Sequence, residues 1–206
     1  MNLTRRDIRR RALAYAGESD KTSYYQGAVD DWIDDALQEM QAGMDGVEDT
    51  WTVVTVAGMR AYLLPDGFLR PKLVLFNGEA IPEIQLEAQD FYSGGNSDPA
   101  WYTIWGWPLP SILLGPQPPA SAKTLTVYHH RAPLRLVSDD SVPELPGPFQ
   151  PSLSFYAAAQ IKLSDEDPQT ADLMMRQFNQ SRLEFRRFMV DNSRSNYQQV
   201  LRIEDY

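Results

Sequence analysis

The hydrophobic pattern of this chain changes its period twice, from helical to strand-like and back to helical. In one early segment the apolar residues recur at helical spacing: Val29, Trp32, Ile33, Ala36, Leu37 and Met40. Residues 51–56 are mostly β-branched, which favours a strand. Helical spacing returns after Pro151, a residue well suited to a first helical turn. The pattern therefore predicts an α+β fold in which both chain ends are helical.

We predict four parts along the 206 residues. Residues 1–48 supply the N-terminal helices of a bundle, and residues 148–192 supply its C-terminal helices. Residues 49–147 form an inserted antiparallel β-sandwich or barrel-like subdomain. Residues 193–206, where the helical signals fade, form an extended C-terminal tail. An insertion between the two halves of a bundle is the simplest arrangement that keeps each part compact.

Local signals place turns and joints within this plan. Thr4, with Asp7 in the first turn that follows, predicts a helix start. Asn77-Gly78 predicts a hairpin, because both residues tolerate the positive φ of a type I′ turn. Residues 113–159 hold prolines that restrict the backbone: Pro116, Pro118, Pro119, Pro133, Pro143, Pro146 and Pro148. We interpret this segment as a structural joint between the β body and the helices.

Composition excludes several classes of protein. Apolar residues make up 43% of the chain, enough for a real core, yet no apolar run is long enough to span a membrane. The start of the chain lacks the apolar stretch of a secretory signal. With no cysteine, disulfides and thiolate metal sites are excluded, and the chain fits a protein made in a reducing cytosol or one indifferent to redox conditions. A net charge of −9 argues against wrapping nucleic acid.

The charges are unevenly distributed. Five arginines lie close to the start of the chain: Arg5, Arg6, Arg9, Arg10 and Arg11. Ten acidic residues follow within residues 17–50, so ion pairs within or between subunits compete with nucleic-acid backbone contact for these cations. Several of the acids cover the polar side of the second helix: Asp30, Asp31, Asp34, Asp35 and Glu39. We predict that they form a solvated or partner-facing acidic surface.

No motif predicts catalysis, a cofactor or a metal. The only histidines, His129 and His130, are neighbours on a predicted strand and point to opposite faces, so we expect one buried and one exposed. No serine lies in a nucleophile elbow, and no glycine-rich phosphate loop is present. A hydrolase that uses Asp34 and Asp35 is our last alternative, since a carboxylate dyad needs burial to separate its pKa values. We therefore expect a protein that is not an enzyme.

An aromatic segment, Trp101 to Trp107, allows two interpretations. On a strand Trp101, Trp105 and Trp107 share one face. The first interpretation is that one face of the strand fills the β core and the other meets a neighbouring subunit or tail component, because tryptophan is enriched at interfaces. The alternative is a glycan- or surface-binding module that uses the tryptophans as a stacking platform.

The last residues combine polar and apolar side chains. Possible anchors are Arg194, Tyr197, Val200, Leu201, Ile203 and Tyr206. A docked arm and a frayed terminus are both consistent with this pattern. The apolar and aromatic character of the end favours docking on a partner.

A set of short motifs resembles the head-to-tail adaptor (connector or head-completion) proteins of tailed bacteriophages. These motifs, in order, are Trp32-Ile33-Asp34-Asp35-Ala36-Leu37, Trp51, Tyr62-Leu63-Leu64-Pro65-Asp66-Gly67-Phe68-Leu69-Arg70, Trp101-Tyr102, Leu113-Leu114-Gly115-Pro116-Gln117-Pro118-Pro119, Leu125-Thr126-Val127-Tyr128, Ala132-Pro133-Leu134, Asp139-Asp140, Pro143-Glu144-Leu145-Pro146 and Tyr156-Ala157-Ala158-Ala159. They span roughly residues 25–190. The arginine-rich start and residues 193–206 lie outside the resemblance.

The resemblance implies a virion protein at the head–tail neck, assembled in the host cytoplasm. Such proteins form a ring, commonly of twelve subunits, below the portal protein. The ring extends the DNA channel and presents a docking surface for the next neck or tail component, a nozzle or tail terminator. A terminal arm often grips the portal, which would be the role of residues 193–206 here. The acidic residues of the second helix would then face the channel or a partner, and like charge would let DNA pass without sticking.

Overall fold

The computed structural model shows two compact units, one helical and one of β-strands. It describes the backbone of residues 2–18, 22–42, 44, 46–86, 97–120 and 122–203, and side chains in these ranges except at residues 22–26 and 192–203. The helical unit comprises Met1–Met44 and Pro133–Tyr206, and the β unit comprises Asp45–Ala132. The α+β prediction is confirmed.

Four α-helices and seven strands lie within the described ranges. The helices are α1 (Arg5–Tyr15), α2 (Thr22–Gln41), α3 (Ser152–Ser164) and α4 (Pro168–Ile203). The strands are β1 (Val47–Val54), β2 (Ala61–Leu63), β3 (Phe68–Phe76), β4 (Glu79–Ala80), β5 (Trp101–Trp105), β6 (Ser111–Gly115) and β7 (Thr124–Arg131). A 3₁₀ turn, Gly147–Phe149, precedes α3.

Helix α3 is the centre of the helical unit. It packs against α1, α2 and α4, so small side chains are needed around much of its circumference. Ala157, Ala158 and Ala159 are all fully buried. The apolar stripe predicted for α2 is confirmed, because Val29, Ile33, Ala36, Leu37 and Met40 are buried and Trp32 packs against the same core. Burial of these side chains supplies most of the stability of the unit.

The start of α1 has the expected cap. The Thr4 Oγ1 accepts a hydrogen bond from the Asp7 N–H, and the Asp7 carboxylate accepts one from the Thr4 N–H. These bonds satisfy donors that a helix start leaves without intrahelical partners. The Thr4 hydroxyl is the main cause of a lowered Asp7 pKa.

The boundaries of the units differ from those expected. The β unit ends at Ala132 rather than at residue 147, so residues 133–147 belong to the helical unit. The side chain of Gln150 explains part of this placement: its Oε1 accepts from the Leu3 N–H at 2.7 Å and its Nε2 donates to the Leu145 carbonyl at 2.9 Å. Proline spacing alone does not show which unit an irregular segment packs against.

The β unit is a sandwich of two antiparallel sheets. The first sheet has the strand order β1-β7-β3-β4, and the second has the order β2-β6-β5. Their shared core contains Tyr62, Leu64, Phe68, Val74, Phe76, Ile81, Tyr102, Ile112, Leu114, Leu125 and Val127. Because these residues come from both sheets, the sheets pack face to face.

The hairpin predicted at Asn77-Gly78 joins β3 to β4. Asn77 has φ +52° and Gly78 has φ +89°, as a type I′ turn requires. Phe76 pairs directly with Glu79 across this turn.

The extended C-terminal tail was a wrong prediction. Helix α4 continues to Ile203 with no break at Ser193. No proline or glycine follows Pro168 in the chain, so nothing in the sequence stops the helix even though its apolar pattern fades. Among the described residues, no helix has the length and apolar character needed to cross a membrane.

Candidate interaction surfaces

An arginine–aspartate cluster connects three segments of the helical unit. The Arg9 guanidinium on α1 donates to both carboxylate oxygens of Asp30 on α2, each at 2.8 Å, and to Asp139 at 2.6 Å. The Arg5 guanidinium bonds the Leu136 carbonyl and lies 3.5 Å from Asp30. Arg9 is buried. The bond from Arg9 is the main reason that the Asp139 pKa is lowered.

Four of the five arginines near the start of the chain therefore divide into two groups. Arg5 and Arg9 are mostly buried and serve ion pairs within the chain, as one of our two interpretations expected. Arg6 and Arg10 are largely exposed, and pair with Asp140 at 2.5 Å and with Asp7 at 3.5 Å. A fork of fixed guanidinium donors suits the first role, because it can bond two carboxylates at once.

The predicted acidic face of α2 is only partly a surface. Asp34 is buried and its Oδ1 accepts a hydrogen bond from the Leu136 N–H at 2.9 Å. Burial raises the Asp34 pKa, and the bond from Leu136 opposes that rise. Asp30 is held by Arg9, and Glu39 pairs with Arg182 of α4. The prediction that all five acids face outward is wrong, since residues 133–141 cover one side of α2.

Two of the three exposed carboxylates of α2 form no ion pair within the described ranges. Asp31 and Asp35 are exposed and make no ion pair with any residue in the described ranges. They lie in a row with the exposed residues Ala28 and Gln38, spaced three and four positions apart. We call the row of Ala28, Asp31, Asp35 and Gln38 the α2 outer stripe. It is acidic and has only short or polar side chains.

The three tryptophans predicted to share one face of a strand lie in different surroundings. Trp101 is only 3% exposed, because its ring covers Gly115 on the paired strand. The guanidinium of Arg60 lies over that ring, 5.3 Å from its centroid. Trp101 is therefore not available to a partner, and this part of the interface prediction is wrong. Strand β5 ends at Trp105, so Trp107 lies in the following turn rather than on the strand.

Trp105 and Trp107 are exposed beside other apolar residues. They are 58% and 66% exposed. Leu63 and Trp105 both pair with Ser111, one on each side of β6, so their side chains project from the same face of the sheet. Leu109 is exposed in the same turn as Trp107. We call Leu63, Trp105, Trp107 and Leu109 the aromatic tip; exposed apolar groups of this kind mark protein contacts.

Helix α4 carries a surface that the sequence analysis missed. Six exposed residues recur three and four positions apart along the helix. They are Leu173, Arg176, Gln180, Leu183, Arg187 and Val190. They fall within about 100° of the helix circumference, opposite the buried residues Ala171, Phe178 and Phe185. We call these six residues the α4 outer stripe. The heptad spacing of these residues is present in the sequence, but the apolar residues on the buried side of the same helix give a stronger periodic signal.

The predicted docking residues at the chain end are not described in side-chain detail. Arg194, Tyr197, Val200, Leu201 and Ile203 belong to α4, but their side chains lie outside the described residues. Tyr206 lies wholly outside them. Their role as anchors stays a prediction.

The two histidines do not form a site. Both are buried, which corrects the expectation that one would be exposed. The His129 ring stacks on Phe68 with 5.4 Å between centroids. Among the described residues, no group of three or more His, Asp or Glu side chains is placed to hold a metal ion.

A shallow depression on the first sheet brings charged groups together, but they pair with each other. Lys72 bonds Glu48 at 2.6 Å, and Arg131 bonds Asp49 at 2.6 Å. These bonds lower the pKa of both carboxylates. The first bond crosses β7 and links β3 to β1, and the second links the neighbouring strands β7 and β1.

These features define a class of protein: a helical unit and a β-sandwich whose notable surfaces are apolar and charged contact faces. The family model of the SU10 adaptor protein matches residues 3–203, and the chain belongs to this family. It is therefore a phage adaptor protein, a structural component of the virion that interacts with other head or tail proteins. No curated protein matches the sequence.

Proposed function

We propose that the protein is a non-enzymatic subunit of a ring, commonly of twelve copies, that binds beneath the portal and joins the phage head to the tail. The ring extends the DNA channel below the portal. The observation that carries the proposal is the family match, which covers residues 3–203 and so includes the β unit, nearly all of the helical unit and the whole of α4.

The charge and surfaces of the chain support this role. A net charge of −9 lets DNA pass through a channel without binding to its wall, because phosphate contacts need clustered cations. The aromatic tip offers an apolar contact for a downstream neck or tail protein, such as a nozzle or tail terminator. The α2 and α4 outer stripes offer contacts within the ring.

The decisive experiment mixes the purified protein with the portal of the same phage. Native mass spectrometry and electron microscopy are expected to show a cyclic oligomer of the adaptor bound to one face of the portal ring. If the adaptor stays monomeric and never engages the portal, the proposal is wrong.

The aromatic tip is tested by replacing Trp105 and Trp107 with alanine. The variant is expected to form the portal-bound ring as the parent does but to recruit the downstream component with at least tenfold weaker affinity, because exposed tryptophans are common hot spots. Val137→Ala, an exposed apolar change in the helical unit, is the matched control. Equal recruitment by the tip variant and the control would contradict this assignment.

A second candidate function is a glycan- or surface-binding β module. It is favoured by the exposure of Trp105 and Trp107, although burial of Trp101 shortens the stacking platform to two rings. A glycan array probed with the parent protein and with Trp105→Ala tests this candidate. Binding that disappears in the variant would support it, and an array without any binding would remove it.

A further inference from the structure

Strand β1 lies at one end of the first sheet, where its described neighbour is β7. Thr55, which directly follows the strand, donates its N–H to the Lys123 carbonyl, so the odd-numbered residues of β1 point their backbone groups toward β7. The even-numbered residues therefore point theirs away from the sheet. Within the described ranges, no other strand bonds these outward groups at Thr50, Thr52 or Val54. We call the outward backbone groups of these three residues the open edge.

Side chains close both ends of the open edge. At its start, Oδ1 of Asp49 accepts a hydrogen bond from the Thr50 N–H at 2.7 Å. Beyond its far end, the Tyr62 hydroxyl accepts one from the Val56 N–H at 3.0 Å. The remaining groups of the open edge are one carbonyl and two complete pairs of N–H and C=O. An added strand completes such a row, because an extended backbone presents donors and acceptors at the same spacing.

The open edge lacks the features that usually prevent edge strands from pairing, such as proline, lysine and β-bulges. Strand β1 contains no proline and no lysine, and its register with β7 is unbroken over all 8 residues. The opposite side of the sheet, where β3 extends beyond the short strand β4, has Pro71, Lys72 and two register shifts. The acids of β1, Glu48 and Asp49, come before the uncharged run Thr50–Val54.

The apolar core of the β unit extends to this edge. Trp51 and Val53 of β1 are half-buried and pack against the core. Val54 is 60% exposed on the outer face of the same strand. A strand added to the open edge would place its own side chains beside all three, and cross-strand pairs of this kind stabilise a sheet. The open hydrogen-bonding groups and the uncovered apolar groups therefore lie on the same strand.

A second copy of β1 is the best-matched occupant that the described part of the chain offers. Strand β2 has three residues and β4 has two, so their edges are shorter. The outer side of β5 already forms a bridge between Tyr102 and Glu83. Pairing between two β1 edges joins identical surfaces and is therefore two-fold. Two strands related in this way run antiparallel.

The uncharged run of β1 is complementary to itself when the pairing is centred on Thr52. Trp51 then lies opposite the partner's Val53, an aromatic and β-branched pair that favours a sheet. Thr50 lies opposite the partner's Val54 on the other face. Two hydrogen bonds join the two Thr52 residues, and each Val54 N–H donates to the partner's Thr50 carbonyl. These four bonds use groups of the open edge alone, and the acids of both copies stay outside the paired run.

We propose that the free protein forms a two-fold dimer in which the β1 strands of two copies pair about Thr52, so that two four-stranded sheets become one continuous sheet. One strand pair is a small contact, so we expect a dissociation constant on the order of 10 μM. Copies can therefore separate when stronger contacts are available. The inference concerns the protein before it reaches the portal and does not rest on the proposed ring, whose contacts join different faces.

Charges at Thr52 test the pairing, because this residue faces itself across the two-fold axis. At about 100 μM, the parent should sediment mainly as a dimer, whereas Thr52→Lys and Thr52→Glu should each sediment as monomers. An equimolar mixture of the two variants should form dimers again, because opposite charges then meet. Thr126→Lys and Thr126→Glu are the matched controls, since Thr126 pairs with Thr52 within the chain but lies on β7, away from the edge. Both controls should dimerise as the parent does.

A second pair of variants tests the backbone bonds. Thr52→Pro removes an outward N–H and leaves the bonds between β1 and β7 in place, because proline is tolerated on edge strands. Thr52→Ala removes the side chain and keeps the N–H. The proline variant should raise the dissociation constant at least tenfold, and the alanine variant by less than about threefold. Far-ultraviolet circular dichroism and tryptophan emission identify any variant that does not fold, and the charge variants then decide the question.

The outcomes separate this dimer from the proposed ring. A parent protein that sediments as a monomer at about 100 μM overturns the dimer and leaves the proposed function standing. A parent dimer that none of the Thr52 charge variants weakens also overturns it, because another surface then joins the copies. A dimer that behaves as expected, from a protein that never engages the portal, supports the β1 contact and overturns the proposed function alone.

Discussion

At the scale of single residues, Arg9 links α1 to two other segments of the helical unit. It bonds two carboxylates from separate segments, and it is nearly buried. Arg9→Met should lower the free energy of unfolding by about 2 kcal/mol, because it removes charged hydrogen bonds and leaves Asp30 and Asp139 without their main partner. Urea denaturation followed by the helical circular dichroism signal measures this loss. Arg10→Met, at an exposed position, should change it by less than about 0.5 kcal/mol.

Arg9 also affects how the stability of the helical unit depends on pH. Because Arg9 lowers the Asp139 pKa in the folded state, the contribution of this pair is present above the unfolded pKa of aspartate. It is lost as the pH falls through the lower folded pKa. The difference in stability between the parent and Arg9→Met should therefore shrink between pH 5 and about pH 2. A difference that stays constant over this range would mean that the contribution of Arg9 does not depend on the charge of Asp139.

The effect of Asp34 on stability changes with pH in the opposite direction to that of Asp139. Burial raises its folded pKa above the unfolded value, so its contribution to stability is lost as the pH rises through the folded pKa. Asp34→Asn keeps an oxygen acceptor for the Leu136 N–H and should be at least as stable as the parent at pH 7. Any gain should disappear near pH 3, where the aspartate is protonated.

Alanine at the same position isolates the hydrogen bond. Asp34→Ala leaves the buried Leu136 N–H without its acceptor and should cost about 1–3 kcal/mol at pH 7. Thermal melts of both variants at pH 3 and pH 7 give the comparison. An asparagine variant that is as unstable as the alanine variant would show that the negative charge, rather than the acceptor, is needed.

At the scale of elements, hydrophobic periodicity predicts the helices and their buried stripes. It does not predict which residues on the polar side of a helix are buried by other segments. The stripe of α2 is buried as its spacing indicates, and the Asn77-Gly78 hairpin follows from local backbone preference. Asp34 could not be recognised as buried, because its partner Leu136 lies 102 positions away and belongs to an irregular segment. Burial of Trp101 depends likewise on a glycine of the paired strand.

That glycine gives a sharp test at this scale. A Cβ built on Gly115 would lie 2.0 Å from Cζ2 of the Trp101 ring, so Gly115→Ala must displace the ring. We expect a loss of about 1–3 kcal/mol in the β unit and a shift in tryptophan fluorescence as Trp101 moves toward solvent. Urea titration and emission spectra measure the two effects.

A second glycine-to-alanine change serves as the control. Gly27 lies within α2, and a Cβ there meets no described atom within 4 Å. Gly27→Ala should raise the stability of the helical unit by up to about 1 kcal/mol, because alanine favours the helix. If both substitutions changed stability in the same direction, contact with Trp101 would not explain the effect at Gly115.

At the scale of the whole molecule, the residues that stabilise the fold differ from those that we propose for partner contact. Core packing of the helical unit involves α4 only as far as Met189 among the described side chains, and the buried Phe185 precedes it. The residues that we propose for partner contact are exposed and lie on the outer faces of α2 and α4, on the aromatic tip and at the open edge of β1. Variants can therefore remove a partner without unfolding a unit, which makes each proposed contact separately testable.

Removal of residues 193–206 applies this separation to the portal. The truncated chain keeps every described core residue of α4, so its unfolding free energy should stay within about 0.5 kcal/mol of the parent. If Arg194, Tyr197 and Leu201 are portal anchors, its affinity for the portal should fall at least tenfold, as measured by co-sedimentation. The full-length variant Tyr197→Ala/Leu201→Ala should show a similar loss, because side chains rather than helix length would make the contact. A truncated protein that binds the portal as tightly as the parent would exclude a docking arm in this segment and would leave α4 up to Asn192 to account for any portal contact made by this helix.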